Sequence, residues 1–205
     1  MYKPASREEE KFLKNYDSSK YKNPAVSADG AIFAWDEEES KMKLLLVQRG
    51  NFPYKGCYCL PGGFVEIDED LLDAVKREIK EETDIEGIPF EQVGAFGRPD
   101  RDPRQRVITI LFAAMVRFAD VTAKAGDDAA EAEWYTIEDY KNEISYKNGK
   151  GERTASLILK GSQQFTPKIR IALDTMAVDI VDGGNLAFDH AHEVIAAYEY
   201  VMRYF

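Results

Sequence analysis

Apolar residues follow two different rhythms along this chain of 205 residues. Ala25 to Trp35 is dense in small and apolar residues, and Met42 to Arg49 carries Leu44-Leu45-Leu46-Val47. Both stretches read as strands, because short apolar runs bounded by polar and turn-forming residues suit a buried pleated element. The acidic run Asp36-Glu37-Glu38-Glu39 between them reads as a solvated hairpin loop. The rhythm then changes. Leu71, Leu72, Val75 and Ile79 recur at helical spacing, with Asp68 or Glu69 as a suitable start. Phe90 to Arg98, Val107 to Phe118 and the shorter Ala132 to Ile137 are strand-like again. A last helix, Asp189 to Phe205, puts Ala191, Ile195, Tyr198, Met202 and Phe205 on one face. The order strands, helix, strands, helix predicts an α/β fold.

Other segments are less regular. Residues 1–23 are polar and read as an N-terminal arm with a short helix near Glu8 to Tyr16. Lys147-Asn148-Gly149-Lys150-Gly151 is a turn signal. Ser156 to Lys160 and Lys168 to Val181 are apolar-rich and fit either strand or helix, and Gly183-Gly184 then breaks the chain.

Composition narrows the class. With 44% hydrophobic residues the chain can bury one core, so a single domain over residues 1–205 is expected. No apolar run is long enough for a membrane span and the N-terminus lacks a signal-peptide pattern, which predicts a cytoplasmic protein. Cys57 and Cys59 are the only cysteines, and such a C-x-C pair points to reduced thiols, not a disulfide framework. A net charge of −10 argues against general nucleic-acid binding. An anionic substrate would therefore need positive charge concentrated locally.

The predicted central helix carries the first candidate chemistry. Glu78, Glu81 and Glu82 fall within roughly a 100° arc, at about 100° per residue. That arc overlaps the edge of the apolar stripe, whereas Asp73, Lys76 and Lys80 face the far side. Like charges at these spacings cost about 0.2–0.5 kcal/mol per pair even when exposed. Divalent cations would offset that cost, and oxygen-only ligands suit Mg²⁺ or Mn²⁺. Arg77, four residues before Glu81, can hold carboxylates in a fixed orientation through its fork. Taken alone, the helix reads first as a solvated surface laced with ion pairs, as most such acidic runs are. The preceding Leu60-Pro61-Gly62-Gly63 shifts the balance, since two glycines let backbone approach a metal or phosphate closely.

Residues 62–85, GGFVEIDEDLLDAVKREIKEETDI, place Gly63, Glu69, Arg77-Glu78-Ile79, Glu81-Glu82 and Ile85 at fixed intervals. This resembles the Nudix box, G-x5-E-x7-R-E-U-x-E-E-x-G-U with U aliphatic. One position departs: the family's last Gly is Asp84 here. That Gly follows the helix end, where a left-handed residue is wanted, and Asp tolerates this better than most. A stability cost is expected there, not lost chemistry. The resemblance implies an α/β/α sandwich with a mixed sheet. It also implies a metal-dependent hydrolase of a nucleoside diphosphate linked to another group. Metal ligands would be Glu78, Glu81, Glu82 and the backbone carbonyl of Gly62.

The segment Gly97-Arg98-Pro99-Asp100-Arg101-Asp102-Pro103-Arg104-Gln105-Arg106 concentrates four arginines in an acidic chain. A loop of this kind can fork guanidinium groups onto phosphates, or it can be a solvated loop paired with its own Asp100 and Asp102. It looks like the GxDxRDPRxRV segment of ADP-ribose pyrophosphatase-like members and of related transcriptional regulators. That likeness makes Arg98, Arg101, Arg104 and Arg106 candidate substrate contacts. The family also often places a substrate-contacting Arg at the position of Arg49. Several members take a further carboxylate from the region of Asp127 to Glu133, as metal ligand or general base. Glu131 is the choice here and Glu78 its rival, with Asp127 and Asp128 read as turn residues. Leu186-Ala187-Phe188-Asp189-His190 looks like the family's last helix start, so residues 141–185 read as an insertion.

The expected reaction is hydrolysis of ADP-ribose to AMP and ribose 5-phosphate. Another nucleotide substrate is the first alternative, whether oxidised nucleotide, sugar nucleotide or dinucleoside polyphosphate. A non-catalytic ADP-ribose sensor is the second. Regulators of that type carry a C-terminal winged helix, and only residues 187–205 follow Leu186 here, too few for one. Tyr198, Tyr200, Val201, Met202, Tyr204 and Phe205 form an aromatic end to the last helix. With the family's habit of pairing, they predict a homodimer.

Overall fold

Strands dominate the computed structural model, which describes residues 2–124 and 129–205. After a short helix α1 (Arg7–Lys14), the chain enters β1 (Ala25–Asp36) and turns back into β2 (Lys41–Arg49). Two short strands, β3 (Tyr58–Cys59) and β4 (Gly62–Phe64), lead to α2 (Leu71–Thr83). Then come β5 (Glu91–Phe96), β6 (Val107–Arg117), β7 (Ala129–Lys147) and β8 (Lys150–Lys160). The small strands β9 (Gln164–Phe165), β10 (Lys168–Ala172) and β11 (Val178–Asp182) precede the last helix, α3 (His190–Tyr204).

Among the described residues, the eleven strands form one mixed sheet with the path β11-β10-β8-β7-β2-β1-β6-β5. β3 pairs with β2, β4 with β1 and β9 with β8. β1 and β6 run parallel, whereas the other pairs are antiparallel. Period-two alternation sends successive side chains to opposite faces. Ala28, Ile32, Leu45, Phe112 and Ala114 meet Ala74, Val75 and Ile79 of α2. Ala31, Phe33, Leu44, Leu46 and Tyr135 point the other way, toward Ala191, Val194, Ile195 and Val201 of α3. The result is the expected sheet between helices. Trp134 and Ala132 lie on the α2 side of β7, and Tyr135 on the α3 side.

Several boundaries differ from expectation. α2 is capped by Asp70, whose side chain accepts from Leu72 N–H, so the helix starts after Asp68 and Glu69. Glu69 is left free for another role, described below. β7 runs for 19 residues instead of stopping near Ile137. It continues because β8 pairs with it from Thr136 to Lys147, closed by a turn at Asn148 and Gly149, both at positive φ. The two ambiguous stretches of residues 141–185 are therefore strands that extend the sheet. On α3 the buried stripe is Ala191, Val194, Ile195, Ala197 and Val201. Met202, Tyr204 and Phe205 are exposed beyond it. The polar α1 buries none of its residues.

Asp84 caps α2 in the left-handed region, with φ 60 and ψ 17, and its N–H bonds to Lys80 O. A non-glycine residue there costs about 1–2 kcal/mol. Its surface pair with Lys124, at 3.2 Å, returns little of that. Asp84→Gly is predicted to stabilise the protein by about 0.5–1 kcal/mol. Thermal unfolding tests it, and an unchanged or lowered midpoint would mean that the side chain carries more than the cap.

Candidate active site

β4 lies beside the first half of β1, with Gly62 opposite Asp29 and Gly63 opposite Ala28. Gly30 N–H reaches Pro61 O at 2.9 Å and Val65 N–H reaches Val26 O at 2.9 Å, which clamps both ends of the short strand. α2 then runs directly over it. A Cβ at Gly63 would collide with the Glu78 carboxylate, and one at Gly62 with Ala28 O and the Asp29 carboxyl. Only glycine allows this approach. Gly62 N–H donates to Glu82 Oε2 at 2.9 Å, so backbone and acidic helix meet at hydrogen-bond range.

Arg77 orders the carboxylates. Its Nε and Nη2 fork onto Glu69 at 3.1 and 2.7 Å. Its Nη1 reaches Glu78 at 2.8 Å and Glu81 at 3.1 Å, and Nη2 also bonds Phe64 O at 3.2 Å. Asp73, the other carboxylate in reach along the helix, is not among these partners. Every donor group of Arg77 is thereby used on the protein, which makes it an orienting group. Glu81 remains largely exposed, whereas Glu78 and Glu82 are half-buried. Burial pushes Glu78 up from the ordinary carboxylate range. Burial also raises Glu82 to about 8, with the Glu78 charge adding to the effect and the Gly62 N–H opposing it. Two dehydrated carboxylates that repel each other beside a bare backbone strand fit a divalent cation.

The arginines divide into two groups. Arg101 is buried and forks onto Asp189 through Nε at 3.0 Å and Nη2 at 2.6 Å, with further bonds to Glu193 and Thr109. Arg101 borders the recess that also holds Arg49 and Arg104, but its fork is spent on protein partners. Arg106 donates to the carbonyls of Gly97, Arg98 and Val107 and braces its own loop. Arg98 pairs with Asp100 at the surface, at 2.8 Å. Arg49 and Arg104 form the second group. Both line the recesses that also contain Gly62, the recess between them and the acidic helix being walled by Glu82. Arg49 bonds Pro53 O at 2.9 Å, and Arg104 pairs with Asp102 at 2.8 Å.

Phe188 joins these two arginines. The Arg49 guanidinium lies 4.9 Å and that of Arg104 5.6 Å from its ring centre, and Arg104 also faces Phe64 at 5.4 Å. Tyr54 packs on the same ring at 4.7 Å. Phe188 holds a φ of 50°, an outlier for a bulky side chain and a mark of local constraint. No periodicity singles out Phe188, which the sequence marks only as part of a helix start. The Gly183-Gly184 break just before it was the one available signal.

Glu131 does not join the acidic helix. It is exposed on β7 opposite Gln48. By alternation it shares the face of Glu133, which accepts from Ser162 Oγ at 2.7 Å, away from α2. Glu131 thus stands apart from the box helix, and Asp127 and Asp128 lie outside the described residues. Cys57 and Cys59 are both free, and burial pushes the Cys59 thiol up.

Fold and site together define an α/β protein with a glycine-lined acidic helix facing an arginine- and phenylalanine-walled recess. The NUDIX domain model matches residues 26–157, and the chain belongs to that family. It is 45% identical over 134 residues to the ADP-ribose pyrophosphatase of Methanocaldococcus jannaschii, covering 64% of this chain and 75% of that protein. It is 36% identical over 132 residues to the ADPR responsive transcriptional repressor NtrR of Acinetobacter baylyi. That match covers 63% of this chain and about half, 52%, of the repressor's length. A MutT/nudix family protein from Enterococcus faecalis superposes with a TM-score of 0.68 at 29% identity, covering 98% of this chain and 76% of that one. Because that alignment spans nearly the whole chain, residues 141–185 are not peculiar to this protein.

The raised carboxyls predict a pH dependence. Asp29, opposite Gly62, is also raised by burial, to about 7. A group with a raised carboxyl pKa binds its proton more tightly folded than unfolded. These groups therefore stabilise the metal-free protein most at and below the ordinary carboxylate range. That contribution is lost as pH rises through about 8 for Glu82. With a chelator present, the unfolding midpoint should fall between about pH 5 and 8.5, and Glu82→Gln should flatten the slope. Added Mg²⁺ or Mn²⁺ should restore more stability at the alkaline end. A midpoint independent of both pH and metal would contradict the carboxylate assignment.

Proposed function

We propose that this protein is a divalent-metal-dependent pyrophosphohydrolase that cleaves ADP-ribose to AMP and ribose 5-phosphate. The observation that carries the reading is the meeting of Glu82 and the Gly62 backbone opposite Arg49 and Arg104. The acidic side would hold Mg²⁺ or Mn²⁺ through Glu78, Glu81, Glu82 and the Gly62 carbonyl. When bound, such a cation neutralises phosphate oxygens and acidifies water. Arg77 keeps Glu78 and Glu81 in place for that purpose. Arg49 and Arg104 supply charge-assisted donors for phosphate, and Phe188 offers a flat apolar wall for a ribose or base. Glu78, pushed up by burial and half-buried beside the strand, is the preferred general base now that Glu131 points elsewhere. The 45% identity to an ADP-ribose pyrophosphatase supports the choice of substrate.

Kinship with an ADP-ribose-responsive repressor favours a second reading, in which the same recess binds ADP-ribose without cleaving it. The intact trio of glutamates favours catalysis. We also propose a cytoplasmic homodimer, in which a second copy covers exposed Met202, Tyr204 and Phe205. Among the described residues no helix is long and apolar enough to cross a membrane.

A substrate panel with Mg²⁺ and Mn²⁺, assayed for phosphomonoester release, should show ADP-ribose as the best substrate. Glu82→Gln should lower its turnover by at least about 10²-fold with the fold retained. Binding of ADP-ribose without turnover by the wild type would establish the sensor reading instead. Light scattering should give twice the chain mass of 23.2 kDa, and a single chain mass would remove the dimer.

A further inference from the structure

At the floor of the recess, where β1, the arginine loop and α3 meet, four ionisable side chains are buried together. Arg101, Asp189, Glu193 and Asp29 are each less than a tenth exposed. Burying this many ionisable groups is costly, and apolar residues of similar volume often stabilise a core as well or better. Stability alone therefore does not account for the cluster. Its geometry does more. Arg101 precedes Arg104 by three residues in the loop of residues 97–106, and Asp189 directly follows Phe188. One guanidinium thus ties together the two segments that supply Arg104 and Phe188, the arginine and the ring that wall the recess.

The tie is also referenced to the centre of the sheet. Arg101 Nη1 donates to Thr109 on β6, whose hydroxyl lies 2.6 Å from that of Ser27 on β1. Glu193 fixes the far side of the fork from the first turn of α3, and its Oε2 has no hydrogen-bond partner among the described residues. The neighbouring His190, held near 3 by burial, is neutral at ordinary pH. Its Nδ1 accepts from Leu60 N–H at 3.3 Å, so it offers that oxygen no donor there. Arg101 is the positive charge that these acids share.

We infer that Arg101, clasped by Asp189 and Glu193, is a positioning residue that sets Arg104 and Phe188 for substrate and does not itself touch it. The inference rests on the recess being the substrate site proposed above. A lysine would keep the charge and lose the fork, so Arg101→Lys isolates the geometry.

The test is a double-mutant cycle on ADP-ribose hydrolysis with Mg²⁺, using Arg101→Lys, Arg104→Ala and the pair. Arg101→Lys should raise KM about tenfold, within the usual range for coupled groups, with a smaller change in kcat. In the Arg104→Ala background the same change should raise KM less than about twofold, because Arg104 transmits the effect. Effects that multiply fully would show that Arg101 does not act through Arg104 and overturn the inference. Amide hydrogen exchange supplies a readout that needs no substrate. In Arg101→Lys, residues 98–106 and 186–189 should lose protection while α2 keeps it. Unchanged protection in those two segments would also overturn the inference. Should Arg101→Lys fail to fold, Asp189→Asn opens the same clasp with little change of shape and is read identically. A wild type inactive on ADP-ribose would refute the proposed function, and the exchange comparison would still decide the clasp.

Discussion

The contact on which the site depends is that of a bare backbone with an acidic helix. β4 carries no side chain at Gly62 or Gly63, so Glu78 and Glu82 come down onto it with nothing between. Behind it, Asp29 and Ala28 leave equally little room. A side chain at Gly63 would displace the Glu78 carboxylate, and one at Gly62 would push β4 away from β1. The helix is fixed on its other edge by Val75 and Ile79, which pack against the sheet at Gly30. A well-packed core transmits such a shift and does not absorb it. The carboxylates are thus held near each other by packing, against their own repulsion, and Arg77 offsets part of that repulsion from one side only.

Charge is distributed to match. In a chain of net charge −10, a recess able to attract phosphate must keep some arginines from its own acids. Arg77 and Arg101 are fully committed to protein partners. Arg106 is spent on carbonyls, and Arg98 sits with Asp100 at the surface. Arg104 keeps a half-exposed guanidinium with one carboxylate partner, and Arg49 bonds a single carbonyl. Stacking on Phe188 holds both without consuming their in-plane donors. An aromatic ring can orient a guanidinium while leaving its edge free for phosphate.

What could be read in advance follows from the range of the signals. The α2 contacts were legible because helical spacing and the Gly-Gly pair are local, and so was the left-handed Asp84. The strands β1, β2, β5 and β6 were legible from apolar runs. The split among the arginines was not, because it is decided by Asp189 and Glu193, about 90 residues further on. Nor could alternation be assigned for Glu131 before the pairing of β7 with β2 was known. The extension of β7 was hidden for a related reason: its outer half is polar, and it is a strand only because β8 pairs with it.

That extension bears on the site as well as on the sheet. β7 and β8 carry the chain outward, and β10 and β11 bring it back against α3. The returning chain then crosses β3, where Tyr58 N–H bonds Asn185 O at 3.0 Å and Ala187 N–H bonds Tyr58 O at 2.7 Å. β3 stands two residues before the Gly62-Gly63 strand, so the crossing places Phe188 beside the recess before α3 begins. Phe188 enters at positive φ between two fixed neighbours. Ala187 is fixed to β3 on one side and Asp189 to Arg101 on the other. Residues 141–185 thus decide where Phe188 stands, although none of them lines either recess that contains Gly62.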